Sequence, residues 1–292
     1  MVYHFIFGFT EKVFTVIFFI MTIKARNRFY MGFFIFTLIV FIFDLIFFHY
    51  QIFAKNLSVP EVKLPENSPA SFLFGFKPVF SYSGIFFQFI YLCGTSFTIL
   101  YAFYKTQAGE LAYFLLFLLS ILLDTARIFI PLLNLAGSFH TALIAINNIV
   151  LTGTFLGPVS LMALVLFSGE EYRQNLEQNC MIIIVAATFV AFSIPINTGV
   201  LLPNFTSAAA FSKIIRLFIV VSVIISVLSM CMNNYKRELS QITTLGFFVL
   251  GTGSLILKHC YTLFQLIIGV IFLSVGTVLY FKELHNQYLW NS

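Results

Sequence analysis

Apolar runs of roughly 17 to 25 residues follow one another along nearly the whole chain, separated only by short polar breaks. At 1.5 Å of rise per residue, about 20 such residues in a helix match the ~30 Å hydrocarbon core of a bilayer. A single run of this kind can be a buried core helix, but a succession of them cannot be hidden inside a soluble domain. Composition agrees: of 292 residues 60% are hydrophobic and 9% charged, whereas water-soluble chains carry roughly 25% charged residues. The expected fold class is all-α, a polytopic transmembrane helical bundle forming one integral membrane domain over 1–292, with the lipid bilayer as its first partner.

The runs mark nine candidate spans at roughly 3–23, 29–53, 84–104, 111–134, 141–168, 180–202, 213–232, 241–257 and 260–281. The eighth is short and reaches the ninth only through Lys258 and His259, so eight spans with a re-entrant hairpin is the alternative. The first run lacks a basic leader, carries Glu11 and Lys12, and has no small-residue cleavage pattern, so it reads as a retained helix. Lys24, Arg26, Arg28, Lys105, Arg173, Lys236, Arg237 and Lys282 fall in alternate connections. Basic residues resist translocation, which puts these connections, and the C-terminus, in the cytoplasm and the N-terminus outside. The longest connection, 54–83, is then an extracytoplasmic loop. The same bias accounts for the net charge of +5, so no nucleic-acid partner is implied.

Polar side chains inside the runs are few, and they share a depth. Glu11, Asp44, Gln88, Asp124, Arg127, Asn147, Asn148, Asn197, Arg216 and Gln265 all lie within about ten residues of the expected outer end of their run. The inner halves, such as 29–43, 111–119 and 155–167, carry almost nothing ionisable. An unpaired charge at mid-bilayer costs about 2.5–3.5 kcal/mol on insertion scales, so several at one level imply pairing or a wet cavity. The candidate ligand-binding set is Asp44, Asp124, Arg127, Asn147, Asn148 and Asn197. Asp124 and Arg127, three residues apart on one helix, can pair; Asp44 has no such neighbour and needs Arg127, Lys12 or a proton. Pro195 is expected to kink the sixth span, and Gly153-Thr-Phe-Leu-Gly157 to allow close helix packing.

Other chemistries find little footing. Cys93, Cys180, Cys231 and Cys260 are scattered without metal-ligand spacing, so no metal site is expected, and His49, His140 and His259 sit near the outer surface rather than facing one another as haem ligands. No phosphate loop, HExxH or nucleophile elbow occurs. Asn56-Leu-Ser58 and Asn204-Phe-Thr206 match the glycosylation pattern in expected outer loops. The cofactor is unknown. Four classes remain: a receptor-like or sensor-like bundle binding a small ligand or lipid headgroup in an outward cavity, a proton- or ion-coupled transporter, a structural subunit of a membrane complex, and, with least support, an enzyme. Residues 169–179 and 233–240 are the expected cytoplasmic contacts for a protein partner, and the cell membrane is the expected location.

Overall fold

The computed structural model describes residues 23–53, 75, 77–104, 109–133, 135, 140–167, 176–236 and 241–290. Residues 3–22 of the expected first span, most of loop 54–83, and segments 168–175 and 237–240 lie outside them. In chain order the elements are α1 (Ile23–Phe53), α2 (Pro78–Ala102), α3 (Glu110–Thr125), a 3-10 turn (Ala126–Ile128), α4 (Phe129–Leu132), α5 (His140–Leu166), α6 (Leu176–Ser193), β1 (Ile196–Leu201), β2 (Ser207–Ala209), α7 (Ser212–Lys236), α8 (Gln241–Lys258) and α9 (Leu263–Trp290). Among the described residues six helical segments are long and apolar enough to cross a membrane: Arg26–Tyr50, Pro78–Ala102, Glu110–Leu132, Thr141–Leu166, Ser212–Asn233 and Leu263–Asn286. Gln178–Ser193 and Ile242–Lys258 are shorter apolar helices.

Helix α3 is the axis of the bundle. Its apolar stretch is 78% buried, whereas that of α1 is 11% buried, so α1 stands at the periphery and presents Phe36, Ile39, Phe43 and Ile46 outward. A protein with a water-facing surface could not expose such a wall, and a bilayer makes it costless. Helix α1 buries one stripe, Arg26, Tyr30, Thr37 and Asp44, at spacings of four and seven that keep one helical face toward α2. Phe41 stacks on Phe89 with centroids 5.5 Å apart, and Phe48 meets Phe86 edge-on at 4.9 Å. At the other end Arg26 donates to Phe103 O (3.3 Å), satisfying a carbonyl that the end of α2 leaves open.

Glycine sets the tightest contacts. A Cβ on Gly153 would lie 2.6 Å from Ser120 O, so α5 approaches α3 backbone to side as the GxxxG pattern predicts. Helices α8 and α9 form an antiparallel pair around Gly253, where a Cβ would meet Leu273 N at 2.5 Å, and Gly276, where it would meet Leu250 N at 2.4 Å. Nothing in the run-by-run reading anticipates this second seam, because the two glycines close it only once the chain has turned back on itself.

Several expected boundaries change. Helix α2 starts at Pro78 rather than near 84, since proline at the first helical position lacks only an N–H that would be unbonded anyway; the proline counted toward the loop starts the helix. The expected span 180–202 is instead a helix ending at Ser193 followed by a strand. Pro195 does not kink this helix but stops it: it cannot donate, and it disfavours α geometry at Ile194. The β-branched residues Ile196, Thr198 and Val200 then favour extension, and β1 pairs antiparallel with β2 through Ile196 to Ala209 and Asn197 to Ala208. Residues 176–179 begin α6 rather than extending the preceding helix, whereas 233–236 do continue α7.

Candidate functional site

Helix α8 has 18 residues and ends inside the bundle rather than beyond it. The last carbonyls of any helix lack intrahelical donors, and together they carry roughly half a negative charge. In water this would be harmless, but here Leu257 and Cys260 are buried; Cys260 N donates to Leu257 O at 3.2 Å, and the remaining donors must come from elsewhere. Arg127 supplies them, its Nη2 donating to Leu257 O at 3.2 Å and its Nη1 to Lys258 O. Asn204 Nδ2 donates to Lys258 O at 3.3 Å, and Ser81 Oγ to Cys260 O at 3.0 Å.

Arg127 reaches this position from the 3-10 turn that follows α3. Pro131 lies one turn on and cannot donate to the carbonyl of Arg127, a common cause of local helix tightening. The guanidinium is 1% exposed and is the bulkiest of the fully buried side chains described. A buried cation needs an anion, and Asp124 is three residues earlier, with Oδ2 at 3.5 Å from Arg127 Nη2. The other carboxylate oxygen, Oδ1, lies 3.2 Å from Lys258 Nζ. One carboxylate is therefore shared by two cations. Gln88 on α2 bridges them, donating from Nε2 to Asp124 Oδ2 (3.4 Å) and accepting at Oε1 from Arg127 Nη2 (3.3 Å).

Thr154 closes the group from α5. Its hydroxyl donates to Val150 O at 2.8 Å, so the oxygen lone pair is free to accept from Lys258 Nζ. This contact depends on Gly153, whose lack of a side chain lets α5 approach the Ser120–Asp124 segment of α3. Against the group lies a cavity of about 40 Å³. Its polar lining is Gln88, Asp124, Lys258 and Thr154, with Ser120 and Ser254 further along, and it meets Phe117, Leu161 and Val223. From Thr154 to Leu161 is about 10 Å along the helix axis. A space of this size, mainly apolar but with a few polar groups at one end, holds a few waters or one small ion, far below the 300 Å³ or more of an ordinary organic-ligand site.

The β1–β2 hairpin lies over the same end of the bundle. Phe205 at its tip is fully buried, has φ of 65° and packs its ring 4.6 Å from that of Tyr82. A positive φ is costly for a bulky residue, and here burial of the ring and the bond from Phe205 N to Leu202 O (3.0 Å) hold it. Ser81 Oγ also lies 3.0 Å from Pro203 O. Asn204 is 6% exposed and its amide is engaged with Lys258 O, so the folded protein does not present this sequon.

The expected site residues thus separate. Asp124 and Arg127 meet and form the centre. Asn147 is buried but belongs to another network, donating to Leu143 O (2.8 Å) and Ser207 Oγ (3.1 Å) and accepting from Ser207 N (2.8 Å); it fastens β2 to α5. Asn148 is half-buried on α5. Asn197 is exposed on β1 and accepts from Gly199 N at 3.1 Å, so it is not at mid-helix as expected. Asp44 is fully buried on α1, and neither of its oxygens has a hydrogen-bond partner among the described residues. Its neighbours Phe41 and Phe48 stack on Phe89 and Phe86, which sets it at the height of Gln88. Asp44, Asn147, Asn148 and Asn197 do not line the cavity.

In the sequence Lys258 reads as a connector and Thr154 carries no signal, while Gln88 lies at the shared depth but outside the candidate ligand-binding set. A signal for Lys258 existed: an apolar run too short to span leaves a helix end in the bundle, and buried helix ends require compensating charge. Comparison with protein-family models, curated proteins and solved structures finds no match to this chain.

Proposed function

We propose that this chain is an ion-coupled membrane transport protein whose coupling site is the Asp124–Arg127–Lys258 centre. The observation that carries this reading is one buried carboxylate shared by two cations beside a small, mainly apolar cavity into which a few polar groups open. Such a group has more than one arrangement of charge within reach: a proton on Asp124 would neutralise the carboxylate and loosen both cations, and an ion entering the cavity would shift the balance between them. Moving charge between buried sites is what an ion-coupled carrier requires. The cavity at this centre, about 40 Å³, is far below the several hundred Å³ that an organic ligand needs, and the groove of about 580 Å³ bordered by Phe155, Ile183, Val190, Ile215 and Phe218 has a wholly apolar wall with nothing to hold a polar ligand or headgroup. The apolar residues Phe117, Leu161 and Val223 at the far end of the cavity act in this reading as the closed inner gate.

The remaining expectations fit around it. The chain sits in the cell membrane with its N-terminus outside, the hairpin end of the bundle faces outward, and a protein partner meets 169–179 and 233–240 from the cytoplasm. The test is reconstitution of the full chain into liposomes loaded with a pH- or ion-sensitive dye. Flux should appear with the unaltered protein and fall at least tenfold with Asp124→Asn. Absence of flux for every monovalent ion and for protons, in protein shown to be folded, would overturn the reading.

A further inference from the structure

The coupling-site reading leaves the ion unnamed, and the charges around the cavity restrict it. Asp124 contributes one negative charge, while Arg127 and Lys258 contribute one positive charge each. The carboxyl end of α8 offsets roughly half a charge more, and this offset falls on Arg127, the residue bonded to Leu257 O and Lys258 O. The uncompensated positive charge therefore belongs to Lys258, and Lys258 lines the cavity whereas Arg127 does not. An ammonium has three N–H donors. One is directed to Thr154 Oγ1, and the nitrogen lies 3.2 Å from Asp124 Oδ1 in an ion pair without hydrogen-bond alignment, which leaves at least one.

We propose that the cavity beside Lys258 binds a monovalent inorganic anion of about the size of chloride. A cation is disfavoured there by two fixed positive charges against one negative. Sulfate and phosphate dianions are disfavoured because only one positive charge is left uncompensated, and carboxylic acids larger than a few waters exceed the space of the cavity. The hydroxyls of Ser120 and Ser254 bond to Phe117 O and Gly251 O of their own helices, at 2.7 and 2.8 Å. Those carbonyls sit within helices, so either hydroxyl can rotate to donate to an ion without stripping the backbone of its own bonds. The anion then neutralises the Lys258 ammonium, while Asp124 on the opposite side keeps binding weak enough for release. This inference rests on the coupling-site reading only for its role in transport; the binding itself stands on the cavity and its charges.

The experiment is thermal unfolding of the purified full chain in detergent, followed with a thiol-reactive dye, in sodium chloride, sodium bromide and sodium gluconate at matched ionic strength. Chloride and bromide should raise the midpoint in a saturable manner, by about 3 °C for each tenfold increase above the dissociation constant, and gluconate should not. Lys258→Gln should abolish the halide dependence and Lys213→Gln, an exposed residue of α7, should preserve it. If Lys258→Gln does not fold, Ser254→Val replaces it and should shift the half-saturating chloride concentration at least threefold. Equal curves in chloride and gluconate, or halide dependence unchanged in the Lys258 or Ser254 variant, would overturn the proposal. Flux with no halide-dependent shift of the midpoint would retire the anion but keep the coupling site; a halide-dependent midpoint without flux would do the reverse.

Discussion

Removing the carboxylate of Asp124 should do more damage than removing Lys258, and removing both should do less than the sum. Asp124→Ala leaves two cations whose nitrogens lie 3.2 and 3.5 Å from the lost oxygens and so no more than about 9 Å from each other. At an effective dielectric of about 20 their repulsion is at least 332/(20 × 9), or about 1.8 kcal/mol, and breaking a buried pair from one side costs about 3–5 kcal/mol in total. Lys258→Met removes one of the two cations and leaves Asp124 with Arg127 and Gln88. Backbone carbonyls are untouched by side-chain changes, so Arg127 keeps Leu257 O and Lys258 O in every variant. Asp124→Ala with Lys258→Met should therefore be more stable than Asp124→Ala alone, with a coupling energy of about 2 kcal/mol or more. Reversible unfolding of the four proteins in mixed micelles measures it. If the two single effects added to within about 0.5 kcal/mol, as independent sites do, the shared carboxylate would not be the organising contact of this centre.

Other consequences are simpler to read. Gly276→Ala should destabilise by about 1–3 kcal/mol, because its Cβ would meet Leu250 N at 2.4 Å, while Gly94→Ala, which meets nothing within 4 Å, should stabilise by about 0.5–1 kcal/mol; thermal unfolding distinguishes them. Asn147→Leu should cost about 1–3 kcal/mol by leaving Ser207 N without its acceptor, and hydrogen exchange should report loosening of the hairpin amides before those of α5. Cys231 is exposed and Cys180 and Cys260 are buried, so a maleimide should label the first in folded protein at a rate at least tenfold above the other two, with all converging on denaturation.

Much of the candidate site was half-legible. The shared depth of Asp44, Gln88, Asp124 and Arg127 could be read from run lengths, since a helix converts sequence position into height at a fixed rise. The pairing of Asp124 with Arg127 followed from their spacing. The rotation of each helix could not be read, which is why Asn147, Asn148 and Asn197 seemed to belong with them. Asn147 turns toward Ser207, and Asn197 is not in a helix at all.

By itself the sequence determined the class of the protein: runs of apolar residues long enough to cross hydrocarbon, too many to hide, with their rare charges at one level. Those are properties of local segments, and local hydropathy sets them. Tertiary structure alone decided what joins the Asp124–Arg127 pair. Gln88, Asp124, Thr154 and Lys258 come from four helices and are joined because α8 ends inside the bundle, leaving carbonyls that draw Arg127, and because Gly153 lets α5 close on α3. A helix end is harmless or demanding according to what surrounds it, and the surroundings of Lys258 are built by residues up to 170 positions away. Only the folded chain brings them together.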